Sequence, residues 1–389
     1  MWVELPLLDK ELVPVYDLTV VAIDLGDPSL TGTAQVIVHL LDENEFRPVF
    51  DQEAYHGFVP ENAALLSPVL TVNTSDLDYM ENSTSVFSIV AGNNRTMFGI
   101  DSSSGQLYVA GNLDYEDMSE YYLVVMARDS GPISTQLSSE VNVSVTVTDI
   151  NDNIPTFLDS NFVSAVQEDA PPLTPLIVLE AFDEDSGANA EISFALDPLG
   201  DNKFFIVDPQ TGLLSLSPNT SLDYEIQQTY EFIAIATDSG IPPLSSNTTV
   251  TIAIEDVNDN APIFEFALVD ASVVENSAPG QSVVYVTATD ADSGENAELS
   301  YDIMRQIENE SDCYSTCQTP DDVCTSFPTT SDSTASSSFV VHNQSGLVTT
   351  TFPLDREERE SHLLVVQATD SGRETRLSGL TCLLVTVVD

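Results

Sequence analysis

Positive charge is what this 389-residue sequence most lacks: 10 Lys and Arg stand against 63 Asp and Glu, for a formal charge of −53 at pH 7. So few bases exclude binding to nucleic acid or to anionic lipid through bulk charge. Histidine numbers 4 and cysteine 4. No nucleophile motif accompanies them, so catalysis is not expected. Long apolar runs are missing too. The longest, near Leu380–Val388, is about half of a membrane span, so direct membrane insertion of this stretch is not expected. No signal peptide opens the chain and no segment carries an apolar helical stripe. The expectation is a piece of a longer exported protein whose leader and anchor lie elsewhere.

Hydrophobic residues make up 42% of the chain, too many for a disordered acidic tail. The blander account of the charge, a solvated acidic surface, does not explain why the acids recur at fixed places. The stretch DINDNIPTF from Asp149 to Phe157 returns as DVNDNAPIF from Asp256 to Phe264. A worn copy, DENEFRPVF, runs from Asp42 to Phe50, and Asp389, after LLVTVV, stands as the first letter of a fourth. The steps between positions 42, 149, 256 and 389 are 107, 107 and 133 residues. A fixed period marks a structural module. Each copy follows an alternating strand, and the complete ones close on a proline, which stops the strand. Each also presents two or three side-chain oxygens with no base nearby.

The period divides the chain into residues 1–47, the tail of one module; 48–154 and 155–261, two complete modules; and 262–389, a fourth with a Cys-containing insertion near 305–338. Val141, Val143, Val145 and Val147 alternate with polar residues, as do Tyr121, Leu123, Val125 and Ala127, and Tyr230, Phe232, Ala234 and Ala236. That is the period of half-buried strands. Roughly seven strands per module predict an all-β chain of tandem Greek-key sandwiches.

Acids recur at matched places. An LDxE pair appears as Asp9 and Glu11, Asp114 and Glu116, Asp223 and Glu225, and Asp355 and Glu357. A DxD pair appears as Asp76 and Asp78, Asp183 and Asp185, and Asp290 and Asp292, each followed by an Asn: Asn82, Asn189 and Asn296. An AxD aspartate recurs as Asp24, Asp129, Asp238 and Asp370, and an early Glu as Glu61, Glu168 and Glu275. Residues at i and i+2 of an extended chain point the same way, so each pair aims two carboxylates at one point. Carboxylates a few ångström apart repel by about 4 kcal/mol at an effective dielectric near 20. A hard divalent cation with about six to eight oxygen ligands removes that penalty; Ca2+ fits better than Mg2+, which prefers fewer ligands and retained waters. The absence of His and Cys from the clusters argues against zinc. DEDSGANAE from Asp183 has the look of an EF-hand but lacks the loop spacing and flanking helices. A glycosidase acid–base pair would be unique rather than repeated.

LDxE, DxD-x-G-x-N-A, AxD-x-G and DxNDNxPxF, in this order, resemble the cadherin repeat over the whole chain except the insertion. The wording DADSGENA and the near-identical linkers look more like Fat, dachsous or protocadherin-type chains than the classical kind. The resemblance implies sandwich modules set end to end with calcium at each junction. The upper module supplies the early Glu, LDxE and linker residues; the lower supplies DxD, the Asn after it and the AxD aspartate. One junction is then Glu61, Asp114, Glu116, Asn151, Asp152 and Asn153 with Asp183, Asp185, Asn189 and Asp238. The next is Glu168, Asp223, Glu225, Asn258, Asp259 and Asn260 with Asp290, Asp292, Asn296 and Asp370. Glu275, Asp355, Glu357 and Asp389 are the upper half of a further junction. The implied function is calcium-dependent cell–cell adhesion, as part of the extracellular region of a plasma-membrane protein with other cadherin ectodomains as partners in cis or trans. The alternative is a non-adhesive tether, matrix spacer or receptor ectodomain of the same construction.

The first junction departs from the pattern. Asp9, Glu11 and Asn44 are kept, and Asp76, Asp78, Asn82 and Asp129 lie below, but Glu45 and Phe46 stand where the other linkers have Asp and Asn. It is expected to be the weak joint. Eight Asn-x-Ser/Thr sequons, at Asn73, Asn82, Asn94, Asn142, Asn219, Asn247, Asn309 and Asn343, fit a glycosylated extracellular surface. Cys313, Cys317 and Cys324 lie in the insertion, and Cys382 aligns with Asn142 on the outward face of the last strand. Two disulfides are expected, one tying the insertion to Cys382, with the pairing open. Trp2 reads as an ordinary core residue.

Overall fold

The computed structural model describes residues 8–78, 83–131, 133–200, 202–307 and 338–389. Trp2, Asn82, Asn309, Cys313, Cys317, Cys324 and nearly all of the insertion lie outside the described residues.

The chain is all-β, as the alternation predicts. The same pair of sheets forms three times. In the first, a four-stranded sheet runs in the order Ala54–Pro60, Ser138–Thr148, Glu120–Asp129, Ser85–Ala91. A three-stranded sheet of Pro68–Thr71, Gln106–Val109 and Phe98–Ile100 accompanies it. The four-stranded sheet recurs as Asn161–Gln167, Ser245–Glu255, Thr229–Thr237, Ser193–Leu196, and as Leu268–Val274, Ser378–Val388, Ser361–Thr369, Ser300–Ile307. In the first and last sets the edge strand pairs parallel to the final strand, with Val143 opposite Tyr55 and Leu383 opposite Val269. All other pairings in these two sheets are antiparallel.

The alternating residues fill the core. Val143, Val145 and Val147 are buried against Leu123, Val125 and Leu107, while Asn142 stays exposed on the other face. Tyr230, Phe232, Ala234 and Ala236 are likewise buried. Ahead of these sheets, Val15–Ile23 and Thr31–His39 form an antiparallel hairpin that is exposed along nearly its whole length.

In the last sheet the alternation breaks. His362 to Val366 are five consecutive buried residues. Leu364 and Val366 face the main core, while Leu363 and Val365 join Ile307 and Cys382 in a second cluster on the opposite face. Cys382 therefore takes the predicted face but is 2% exposed, packed with Ile307, Leu363 and Val365. It is not a free thiol.

One turn signal recurs without having been read from the sequence. Gly105, Gly212 and Gly346 adopt φ of +70°, +68° and +65°. A Cβ there would meet a backbone carbonyl oxygen at 2.1 to 2.3 Å: that of Val72, Leu179 or Val286. Two of these turns are closed by aspartates, Asp101 and Asp208, each accepting two backbone N–H bonds. Those bonds, with ones from serine and threonine hydroxyls, hold both carboxyls below the usual range, Asp101 to about 2. Gly212→Ala is expected to destabilise the chain by about 2 kcal/mol or more, since it adds strain to a rigid backbone contact. Urea unfolding with an unchanged slope would read it.

Candidate metal centres

Contacts divide the chain into two compact units. One holds Met1–Thr156, Ala181–Ile192 and Thr237–Ser246; the other holds Phe157–Glu180, Ser193–Ala236 and Asn247–Asp389. Each complete acidic junction falls wholly inside one of them.

In the first unit, Glu61 is 6% exposed and braces the junction. Its carboxylate accepts the N–H of Tyr115 at 2.7 Å and that of Ile150 at 2.8 Å, which ties the LDxE turn to the linker. Asp149, the linker's first residue, accepts through Oδ2 from the Ser186 N–H and hydroxyl and from Asn189 Nδ2, at 3.0 to 3.1 Å. Asn151 Nδ2 donates to the Pro242 carbonyl at 2.7 Å and to Asp238 at 3.2 Å. Asn153 donates through its side chain to Asp185 at 2.8 Å. Asp183 Oδ1 accepts from the Asp185 N–H, and three oxygens stay bare: Asp149 Oδ1, Asn151 Oδ1 and Asp183 Oδ2 are buried without a hydrogen bond. Ligand atoms of Glu61, Glu116 and Asp149 lie within 4.8 Å of one another, as do those of Glu116, Asp152 and Asp185.

The second unit repeats the arrangement closely. Glu168 accepts from the Tyr224 and Val257 N–H groups. Asp256 Oδ2 accepts from Ser293 N–H and Asn296 Nδ2. Asn258 Nδ2 donates to the Thr375 carbonyl and Asp370, and Asn260 donates to Asp292. The bare atoms are the matched ones: Asp256 Oδ1, Asn258 Oδ1 and Asp290 Oδ2. Glu168, Asp223 and Glu225 cluster, and so do Glu225, Asp259 and Asp292. Farther along, Glu275, Asp355 and Glu357 form the same kind of group.

At the first junction the linker makes the corresponding bonds, without the side-chain bond that Asn153 and Asn260 add. Asn44 Nδ2 donates to Asp129 at 2.7 Å and to the Thr135 carbonyl, and the Phe46 N–H donates to Asp78 at 3.2 Å. Asp42 Oδ1, Asn44 Oδ1, Asp76 Oδ2, Asp78 Oδ1, Asp129 Oδ1 and Glu11 Oε1 are buried without a hydrogen bond, the first three matching the bare oxygens of the other junctions. Asp9 closes its own turn, accepting from the Leu12 N–H. Yet among the described residues no three carboxylates here gather within 4.8 Å, and Glu45 joins no cluster. A base is present where none was expected: Lys10 Nζ lies 3.7 Å from Asp42.

Asp149 and Asp256 take part in these junctions, although sequence reasoning did not single them out. Both open a linker at the fixed period, and that recurrence was the available signal.

Buried polar oxygens normally find a partner, and a carboxylate facing other carboxylates resists ionisation. Burial, then the charges of Glu61, Asp152 and Asp149, push the Glu116 carboxyl up to about 7. Burial, then Asp290 and Asp256, push Asp292 to about 6. Burial first also raises Asp152, Asp183, Glu225, Asp259 and Asp290. Oxygen donors only, bare atoms in matched places and carboxyls short of positive charge form a donor set suited to a hard divalent cation.

The chain matches the Cadherin domain family over residues 55–148, 162–255 and 269–388. It belongs to the cadherin family. Protocadherin-like wing polarity protein stan of Drosophila melanogaster is 35% identical over 94% of this chain, which spans 10% of that protein. Human Protocadherin Fat 1 is 34% identical over 98% of the chain, spanning 8% of its own length, and human Protocadherin alpha-1 is 35% identical over 96%, spanning 37%. The fold matches the Protocadherin GammaB4 extracellular domain with a TM-score of 0.79 at 33% identity, covering 98% of this chain and 56% of that one. This cadherin chain resembles protocadherins, Fat and stan, and spans from about a tenth to about a third of the curated relatives' length.

The raised carboxyls set a pH dependence for the metal-free chain. Glu116 and Asp292 hold protons in the fold up to about 7 and about 6, against ordinary values of 4.5 and 3.8. The folded state therefore binds more protons than the unfolded one between those limits, and stability falls as pH rises through that window. With chelator, the melting temperature is expected to drop between about pH 5 and pH 7.5; with excess calcium the slope should flatten or reverse, because the metal takes the deprotonated form. Equal slopes in both conditions would contradict the assignment.

Proposed function

We propose that this chain is a calcium-rigidified stretch of a long cadherin ectodomain acting in cell–cell adhesion, built of modules at 1–47, 48–154, 155–261 and 262–389. The observation that carries the reading is the repetition of the same bare oxygens in both complete junctions: the first Asp and the Asn of the linker and the first Asp of DxD. One ligand set would be Glu61, Glu116, Asp149, Asn151, Asp152, Asp183, Asp185 and Asp238. The other would be Glu168, Asp223, Glu225, Asp256, Asn258, Asp259, Asp290, Asp292 and Asp370. Bound calcium would supply the missing positive charge, and the residues would lock linker, LDxE turn and DxD loop into one body. Asn153, Asn189, Asn260 and Asn296 act here as donors that aim the carboxylates.

Partners would be other cadherin ectodomains, in cis or trans. A related solved structure, 28% identical, is titled as a cis-dimer of Protocadherin gammaB7. An extracellular, glycosylated surface is supported by the sequons: Asn73, Asn94, Asn142, Asn219, Asn247 and Asn343 are all exposed. Among the described residues no helix is long and apolar enough to cross a membrane. A disulfide from Cys382 to the insertion extends the reading; a free Cys382 thiol in non-reducing peptide maps would exclude it.

Beads coated with the chain separate adhesion from a purely mechanical role. The proposal expects aggregation in calcium and dispersal with chelator. It also expects a melting temperature raised by calcium, with about 2.7 kcal/mol per site at a hundredfold excess over the dissociation constant. A calcium-dependent melt without aggregation would favour the tether; no calcium effect on either would end the proposal.

A further inference from the structure

We propose that Asn142 carries an N-linked glycan whose first sugar packs on the side chains around it, and that this sugar covers the outward face of the 54–148 sheet. The proposal rests on the extracellular, glycosylated reading above. Asn142 opens the sequon Asn142-Val143-Ser144 in the middle of the final strand, Ser138–Thr148. Its cross-strand partners are Val124 on one side and Ala54 on the other. Residues directly opposite share a face, so these three form one outward row. The next row is Tyr122, Ser144 and His56. Ser144 Oγ and His56 Nδ1 are hydrogen-bonded at 2.5 Å, and the Tyr122 hydroxyl donates to Glu120, so both rings are held to the sheet. The two rows line a groove of about 280 Å³ with Asn142 in its wall. Phe58 stands opposite Thr146 in the row beyond; it is 70% exposed, and Tyr122 is 69% exposed.

An apolar strip on an open sheet face invites association unless something covers it. The last sheet shows this face closed. Cys382 stands seven residues before Asp389, as Asn142 stands seven before Asp149. There Leu363, Val365 and Cys382 are buried on the outward side. In the 54–148 sheet the matching position instead holds an exposed amide that a sugar can extend. Attachment joins Asn142 Nδ2 to the anomeric carbon of an oligosaccharide carried on a lipid diphosphate. The C–N bond forms, the C–O bond to the diphosphate breaks, the lipid diphosphate leaves with the electron pair, and the amide gives up one proton. The C–H face of the first pyranose then packs on the electron-rich Tyr122 ring and on Val124, and the hydroxyls of the glycan face water. Asn94, a sequon in the loop between Ser85–Ala91 and Phe98–Ile100, provides the comparison.

The test expresses the full chain in secreting animal cells and maps its glycopeptides by mass spectrometry. Backbone hydrogen exchange of strands 120–129 and 138–148 is then followed with calcium present. Asn142 should be occupied, and Asn142→Gln should speed exchange in these strands roughly three- to tenfold, while Asn94→Gln leaves them unchanged. Trimming every glycan to its first sugar with an endoglycosidase should keep the wild-type rates. Removing the sugars entirely with an amidase should give the faster ones, and this route needs no variant to fold. Tyr122→Ser should speed exchange in the glycosylated chain and add nothing to Asn142→Gln, because the two act through one contact. A bare Asn142 on a chain glycosylated at other sequons overturns the proposal and leaves the extracellular reading in place. An occupied Asn142 whose loss changes exchange no more than the loss of Asn94 overturns it too. A chain with no sugar at any sequon ends both.

Discussion

Negative charge gathered without bases is the constraint on which the rest of this structure depends. Each complete junction brings an early Glu, the LDxE acids, the linker acids, DxD and an AxD aspartate into one small volume, and pairs of such groups repel by about 4 kcal/mol at close range. The protein spends hydrogen bonds on aiming these groups rather than neutralising them. Asn151 and Asn258 donate to an AxD aspartate, Asn153 and Asn260 to DxD, and Ser186 and Ser293 to a linker aspartate. Asp149 and Asp256 are thereby fixed by one oxygen and present the other. A hard cation would meet only oxygen donors there.

The sandwich explains how such a cluster is held. Final strands such as Ser138–Thr148 and Ser245–Glu255 run straight into the linkers, so the linker inherits a rigid direction from the sheet core. The early Glu follows the edge strand that pairs with the final strand, and so lands beside the start of the linker. Alternating burial gives each described sheet a core on one face.

Much of this was legible in the sequence because it depends on period. The 107-residue step located the linkers, and valines at 141, 143, 145 and 147 revealed a strand and its buried face. The i, i+2 spacing of DxD was enough to place two carboxylates together. Other features depend on direction rather than spacing and were not legible. Asp149 looks like the end of a strand until the Ser186 and Asn189 donors show which way it turns. Glu61 reads as one more ligand, but its two backbone bonds make it the brace between turn and linker. Cys382 took the expected face, yet its burial depended on Leu363 and Val365, which no pairwise alignment of motifs would single out. The contact of Lys10 with Asp42 spans the gap between two motifs that the sequence presents separately.

A crystal structure of this chain grown in calcium, phased to show the ions by their anomalous scattering, tests the central claim most directly. The account expects ions in both complete junctions, at about 2.3 to 2.6 Å from Asp149 Oδ1, Asn151 Oδ1 and Asp183 Oδ2, and from Asp256 Oδ1, Asn258 Oδ1 and Asp290 Oδ2. Water alone on those oxygens, with the same hydrogen bonds around them, would contradict it.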